Sequence, residues 1–165
     1  MAVTAADVKK LREKTGAGMM DCKKALVEAD GNFEKAERIL KELGKAAAAK
    51  RSGRATNQGR IFISENGNKA AILELSCETD FVARNENFVK LGNELTADAL
   101  KRGATEIDDA IRTTVQDAIS TIKENLEPRR LSVIERGNDE IFSSYIHGDA
   151  GNMGAIVRVK ADKPE

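Results

Sequence analysis

The chain has no tryptophan, one tyrosine, five phenylalanines and a single histidine, His147, among 165 residues. Aromatics at 4% are too sparse for the stacking platforms that grip single-stranded nucleic acid. Cys22 and Cys77 are the only cysteines, and they form no Cys-x-x-Cys. With one histidine they match no zinc spacing, so no metal is expected. They read as free thiols of a reducing cytosol, with pairing between chains as the alternative. Nothing in the order of the chain sets His147 beside either thiol, and a nucleophile needs its base within hydrogen-bond reach, so no Cys–His chemistry is expected. No apolar run approaches the roughly 20 residues of a membrane span. Met1-Ala2-Val3-Thr4-Ala5 lacks the basic and apolar segments of a signal peptide, which points to a cytoplasmic protein. A Walker-type glycine loop is missing, so the chain is not expected to bind nucleotide itself. Gly16-Ala17-Gly18 lacks the third glycine of a dinucleotide fingerprint. Gly148, Gly151 and Gly154 lie between two expected strands and read as a turn. Together these absences predict a protein without catalytic chemistry or cofactor.

What is present suits one ordinary domain or two small ones, with 41% hydrophobic residues for a core and 33% charged residues for a solvated surface. Acidic and basic residues balance at 27 each, but unevenly along the chain. Residues 1–54 carry 13 basic and 8 acidic side chains, which leaves 14 and 19 for the rest. Two mildly charged surfaces are a poor match to a nucleic-acid footprint.

The first 50 residues read as three short helices. Thr4-Ala5-Ala6-Asp7 resembles a capping box with Asp in place of Glu. Val8 and Leu11 follow as an apolar face, and Gly16-Ala17-Gly18 breaks it. Met19, Cys22 and Leu26 give a second stripe. Phe33, Ala36, Leu40 and Leu43 give a third, which Gly44 is expected to close. Residues 1–52 thus form a small three-helix domain, and 53–59 a linker. Residues 60–165 alternate strands with helices. Arg60–Ser64 and Lys69–Cys77 flank an Asn66-Gly67 hairpin signal. One long helix is expected from Asp80 to Arg102, with Phe88, Leu91, Leu95 and Ala99 inward. Another lies between Ile107 and Leu126, ended by Glu127-Pro128. Leu131–Glu135, Ile141–His147 and Ala155–Lys160 complete the strands. Antiparallel strands flanking helices predict an α+β layer.

Two segments stand out. In Leu11–Leu26, successive helical residues point about 100° apart, so Met19 and Met20 cannot share the centre of a narrow core face. One of them is expected to be exposed beside the glycine loop, and it reads as a loosely packed core methionine or as a deformable contact patch of the kind methionine suits. In Glu74–Asn85 a strand gives way to a helix that Thr79 or Asp80 can cap. Phe81 lies seven residues before Phe88, so it either continues the core stripe or projects from the first turn as a wedge beside Asp80.

Both segments resemble the bacterial elongation factor Ts family. Leu11-Arg12, Thr15-Gly16, Gly18, Met19, Asp21, Lys23-Lys24 and Ala25-Leu26 are similar to its N-terminal signature. Thr79-Asp80-Phe81-Val82-Ala83-Arg84-Asn85 is similar to its second motif, and Tyr145-Ile146-His147-Gly148 extends the likeness towards Lys160. Ser76 stands where asparagine is common. The resemblance implies a ubiquitin-associated-like bundle at 1–52 and a dimerisation-type subdomain at 60–165. It implies a guanine nucleotide exchange factor for elongation factor Tu, a GTPase, that ejects GDP. On that likeness Met19, Met20 and Lys23 dock on the partner, and Thr79, Asp80, Phe81 and Val82 form the intruding segment. Asp80 and Phe81 shift the elements holding magnesium and phosphate, while His147 makes a further contact. Family members usually continue into a second subdomain, so the chain is expected to be a fragment or a short form. Weakened affinity and self-association through an uncovered sheet edge are the corresponding expectations. Two other readings compete. A ribosome- or RNA-associated module would use Lys45, Lys50, Arg51, Arg54 and Arg60. A lone ubiquitin-associated-like binding module would need only residues 1–52.

Overall fold

A computed structural model describes residues 3–160 of the chain. The chain divides into two compact units, Met1–Gly53 with Gln116–Lys123, and Arg54–Val115 with Glu124–Glu165.

The first unit contains α1 (Ala5–Thr15), α2 (Met19–Glu28) and α3 (Phe33–Arg51). Its start follows from local chemistry. The Asp7 N–H donates to the Thr4 hydroxyl, and the Asp7 carboxylate accepts from the Thr4 N–H and hydroxyl. Two orphan amides of the first turn are thereby satisfied. Those bonds, the Thr4 hydroxyl's first, hold the Asp7 carboxyl below its usual range. Gly16 ends α1 in the left-handed region at φ 66°. Val8, Leu11, Cys22, Ala25, Leu26, Ala36 and Leu40 form the core, with Phe33 packed against it.

Three expectations for this unit need correction. Met19 is not part of the core stripe, since Ala25 joins Cys22 and Leu26 inside while Met19 stays 45% exposed. Leu43 is exposed rather than inward. Gly44 does not close α3, which continues through it for seven more residues to Arg51. A glycine inside a helix costs about 1 kcal/mol relative to alanine. Here it admits a close neighbour, because a Cβ at Gly44 would lie 2.8 Å from Ser120 Cβ.

The second unit opens with β1 (Gln58–Asn66) and β2 (Lys69–Cys77), paired antiparallel. Gly67 and Asn68 are the two residues left between the paired Asn66 and Lys69, with Gly67 at φ 61°. Two helices follow, α4 (Asp80–Ala83) and α5 (Glu86–Arg102). The long helix expected from Asp80 to Arg102 is therefore two helices. Asn85 interrupts it by adopting extended backbone and capping α5, its side chain accepting from the Asn87 N–H. Next in the chain come α6 (Asp109–Ile122), of which residues 116–122 are grouped with the first unit, and β3 (Leu126–Glu135). Pro128 does not end a helix, as expected, but sits in β3 opposite Leu75, at the register shift between Glu74 and Leu75. A bulge is where a strand tolerates a proline. The three-stranded sheet runs β1-β2-β3, and β4 (Glu140–His147) and β5 (Met153–Lys160) form a separate antiparallel pair. The hairpin's turn meets β1, where the Ile61 N–H donates to the Gly151 carbonyl at 2.7 Å. Gly154 belongs to β5 rather than to the turn, and it packs against Ile61.

One sheet face carries Phe62 and Leu73, which are directly paired across β1 and β2. The ring of Phe62 meets that of Phe88 from α5 at 6.0 Å between centroids, tilted by 57°. Phe88, Leu91, Leu95 and Ala99 are all buried, as their spacing predicts. The α+β architecture read from the sequence is the architecture found.

Candidate functional site

The end of β2 delivers the most unusual side chain of the second unit. Phe81 is 82% exposed, whereas Phe88 is fully buried. Of the two readings left open by the sequence, continuation of the core stripe fails. The break at Asn85 rotates α4 out of phase with α5, so a seven-residue spacing no longer places both rings on one face. Burying a phenylalanine side chain is worth about 1.5–3 kcal/mol, and the fold forgoes it here.

The segment carrying that ring is firmly anchored. Thr79 caps α4, its hydroxyl accepting from the Val82 N–H at 3.3 Å. The Glu124 carboxylate, from the segment before β3, accepts three bonds. The N–H groups of Glu78 and Thr79 donate to Oε2 at 3.1 and 3.0 Å, and the Thr79 hydroxyl donates to Oε1 at 2.6 Å. In return the Asn125 N–H donates to Glu78 Oε1 at 2.6 Å. The Asn125 side-chain amide then donates to the Arg54 carbonyl at 2.8 Å. Asp80 is exposed beside Phe81 and makes a loose ion pair with Arg84 at 3.9 Å. Val82 is half-buried and Ala83 buried, so the turn roots through one side only.

Cys77 sits beneath this turn and donates from Sγ to the Thr79 carbonyl at 3.2 Å. Burial, and next the negative charge of Glu124, push its thiol up to about 12. A thiol so raised is not a nucleophile near neutral pH. Its linkage has a definite sign. The folded state holds the proton more tightly, so this group weakens the fold as pH rises from the ordinary thiol value of 9.0 toward about 12. Cys22 is likewise buried, and both cysteines are free.

The other residues singled out by the sequence lie elsewhere. Met19, Met20 and Lys23 belong to α2 in the first unit, and all three are exposed. Both methionines project, at 45% and 61%, where the sequence predicts one. His147 ends β4, exposed, with its Nδ1 hydrogen-bonded to the Tyr145 hydroxyl at 2.8 Å. Among the described residues, no hydrogen bond or ion pair joins it to residues 79–82. Val27 extends the exposed side of α2, and Glu124 completes the anchor. Neither was picked out by sequence reasoning. Val27 follows Lys23 by four residues, a spacing that could have shown it, but Glu124 acts 45 residues away from Thr79, with no local signal. No group of three or more metal-ligating side chains occurs among the described residues. No helix among them is long and apolar enough to cross a membrane.

Comparison with known proteins gives the family. The family described as Elongation factor TS matches residues 78–165, more than half of the chain, starting at the residue that opens this turn. The chain belongs to the elongation factor Ts family. Among curated relatives, the elongation factor Ts of Treponema denticola is 43% identical over 165 residues, covering 100% of this chain and 59% of its own length. That of Nitratidesulfovibrio vulgaris is 42% identical, covering 99% of this chain and 56% of its own. That of Borrelia hermsii is 38% identical over 162 residues, covering 98% and 58%. The chain thus spans less than two thirds of the length of these elongation factor Ts relatives. Their similarity runs along the whole of it, through both α2 and the anchored turn.

Proposed function

We propose that this chain is a guanine nucleotide exchange factor for elongation factor Tu, acting in the cytoplasm during translation elongation. It docks through Met19, Met20 and Lys23 of α2 and inserts Asp80 and Phe81 near the magnesium and phosphate site of that GTPase. Thr79 and Val82 hold the inserted segment, and His147 adds a second contact. The observation that carries this reading is Phe81, exposed on a turn fixed by three bonds to one carboxylate. A stiffly mounted aromatic suits displacing elements of a partner, and Met19 and Met20 suit adaptable docking.

The mechanism needs shape, and it needs neither a perturbed catalytic group nor a cofactor. Magnesium demands near-octahedral oxygen ligands, so a small displacement of them weakens its hold. GDP and the factor then oppose each other, and the coupling is reciprocal. Loosening GDP by a thousandfold takes about 4 kcal/mol of differential binding. A few desolvated side chains can supply that. The test is release of a fluorescent GDP from the GTPase with and without the chain, repeated across salt concentrations. Stimulated release with a shallow salt dependence is expected. No stimulation would overturn the exchange reading, and binding that collapses steeply with salt, as phosphate contacts do, would favour the RNA-associated module instead.

Self-association belongs to the same proposal. The pairing of β4 with β5 places Tyr145, Ala155, Val157, Val159 and Met153 on one face, and all five are exposed. An uncovered apolar face of this kind favours association. Sedimentation velocity is expected to show a species heavier than one chain as concentration rises. A monomer at every concentration would remove this part of the proposal.

A further inference from the structure

We infer that Glu124 is a positioning residue for nucleotide exchange, acting through Phe81 by fixing the turn that aims it. The inference rests on the wedge reading above and identifies what makes the wedge stiff. A helix of four residues has no stability of its own, since it closes too few bonds to offset the cost of nucleation. The direction of Phe81 must therefore be set by what holds α4 from outside. The ring contributes little, being almost wholly in solvent. The rooting side chain, Ala83, is small.

The strongest restraint is the carboxylate of Glu124. Both of its oxygens are engaged, and every bond goes to residue 78 or 79. The Thr79 hydroxyl gives its proton to Glu124 and accepts the Val82 N–H, so one continuous chain of bonds runs from Glu124 into the turn carrying Phe81. Bonds in series to an ionised acceptor reinforce each other. Glu78 and Asn125 close the second side of the same clamp. The backbone is bent to present this residue. Lys123 adopts φ 70°, a left-handed conformation uncommon for a side chain like lysine, directly before Glu124.

A wedge that can swivel yields before its target does, and ordering it on contact subtracts from the work available to distort the partner. Without Glu124 the ring is still present and still exposed, but it is poorly aimed. The expected result is that Glu124→Ala lowers the maximal stimulated rate of GDP release by roughly tenfold, the scale of losing charge-assisted bonds. The concentration for half-maximal stimulation should stay nearly unchanged, because the docking side chains of α2 are untouched. Glu124→Gln, which keeps one acceptor oxygen, should fall between. Thr79→Ser keeps the hydroxyl and should lose much less exchange than Thr79→Val, which should fall as Glu124→Ala does.

A purely structural role is separated by a double-mutant cycle. In a Phe81→Ala chain, adding Glu124→Ala should change the exchange rate by less than about twofold, because the two act as one unit. The loss of thermal stability from Glu124→Ala should be the same in both backgrounds. Should Glu124→Ala destabilise the fold too far to assay, the Thr79→Ser and Thr79→Val pair carries the same comparison. Full exchange by a folded Glu124→Ala or Thr79→Val chain would overturn the inference, as would an undiminished Glu124 effect in the Phe81→Ala background. If Phe81→Ala itself exchanges normally, it is the wedge reading that fails.

Discussion

Replacing Phe81 by alanine is expected to abolish most of the stimulation of GDP release while leaving the fold intact. The two halves of that result have separate causes. The side chain is 82% exposed, so the folded state loses almost no packing, and exposed substitutions usually stay within about 0.5 kcal/mol. The proposed contact with the GTPase is different. A buried aromatic at the centre of an interface typically contributes about 2–4 kcal/mol, which converts to roughly 30- to 900-fold. If the ring is inserted only when GDP is leaving, the loss should appear in the exchange rate more than in simple docking. Asp80→Ala should follow with a smaller loss. Asp80 is exposed and forms only a 3.9 Å pair with Arg84, which leaves its charge available for the proposed role. Thermal melting of the Phe81→Ala chain serves as the control, and an unchanged midpoint is expected. Unchanged GDP release in both variants would mean that the intruding segment is assigned wrongly.

The largest expected effect on the fold itself belongs to Gly92. This residue lies in the middle of α5, and a Cβ there would stand 2.2 Å from the Cε2 and Cζ atoms of Phe62. The ring cannot retreat easily, because it is 2% exposed and packed against Phe88. Alanine would gain about 1 kcal/mol of helix propensity over glycine. Overpacking a well-filled core costs about 1–3 kcal/mol and occasionally more. With the overlap directed at the edge of a buried ring, the upper end applies, and Gly92→Ala should destabilise the chain by about 2 kcal/mol net. That corresponds to a fall in melting temperature of roughly 5–15 °C for a unit of this size. Phe62→Leu removes Cε2 and Cζ, the two nearest colliding atoms, and leaves a smaller side chain whose Cδ atoms can rotate away, so the double variant Gly92→Ala, Phe62→Leu should be more stable than the sum of the single losses predicts. Strict additivity, or a rise in melting temperature for Gly92→Ala, would show that α5 has room to shift.

Gly92 also marks where the sequence stops being informative. Periodicity placed Phe88, Leu91, Leu95 and Ala99 inward, and they are. The capping residues Thr4 and Thr79 were legible because a cap acts within three residues. Features set by distant neighbours were not. Gly44 looks like a helix terminator from its own position, and only the nearness of Ser120 explains a glycine inside α3. Pro128 looks like a helix stop until β3 is seen to pair with a bulge opposite it. The break at Asn85 was hidden because the apolar spacing continues across it, although an Asn that caps a helix is a local signal.

The candidate site divides in the same way. Its residues were legible through the resemblance, since the motif from Thr79 to Asn85 is contiguous. The spacing of Phe81 allowed either a core or a projecting ring, and exposure decided between them. Met19 was misplaced because its spacing to Cys22 and Leu26 fits a core stripe, yet Ala25 takes the inward position. Glu124 was invisible. A carboxylate that reaches residues 45 and 46 positions earlier leaves no trace in any window of the sequence.

On the proposed reading, an anchored aromatic couples binding of the chain to loss of GDP. The most direct measurement is the affinity of the chain for elongation factor Tu in two states, nucleotide-free and GDP-bound. A preference for the nucleotide-free state of about a thousandfold is expected, equal to the factor by which the chain weakens GDP, as reciprocity requires. Phe81→Ala should bring this preference most of the way to one while binding to the GDP-bound form persists. Equal affinity for the two states, or a preference that Phe81→Ala leaves intact, would contradict that reading.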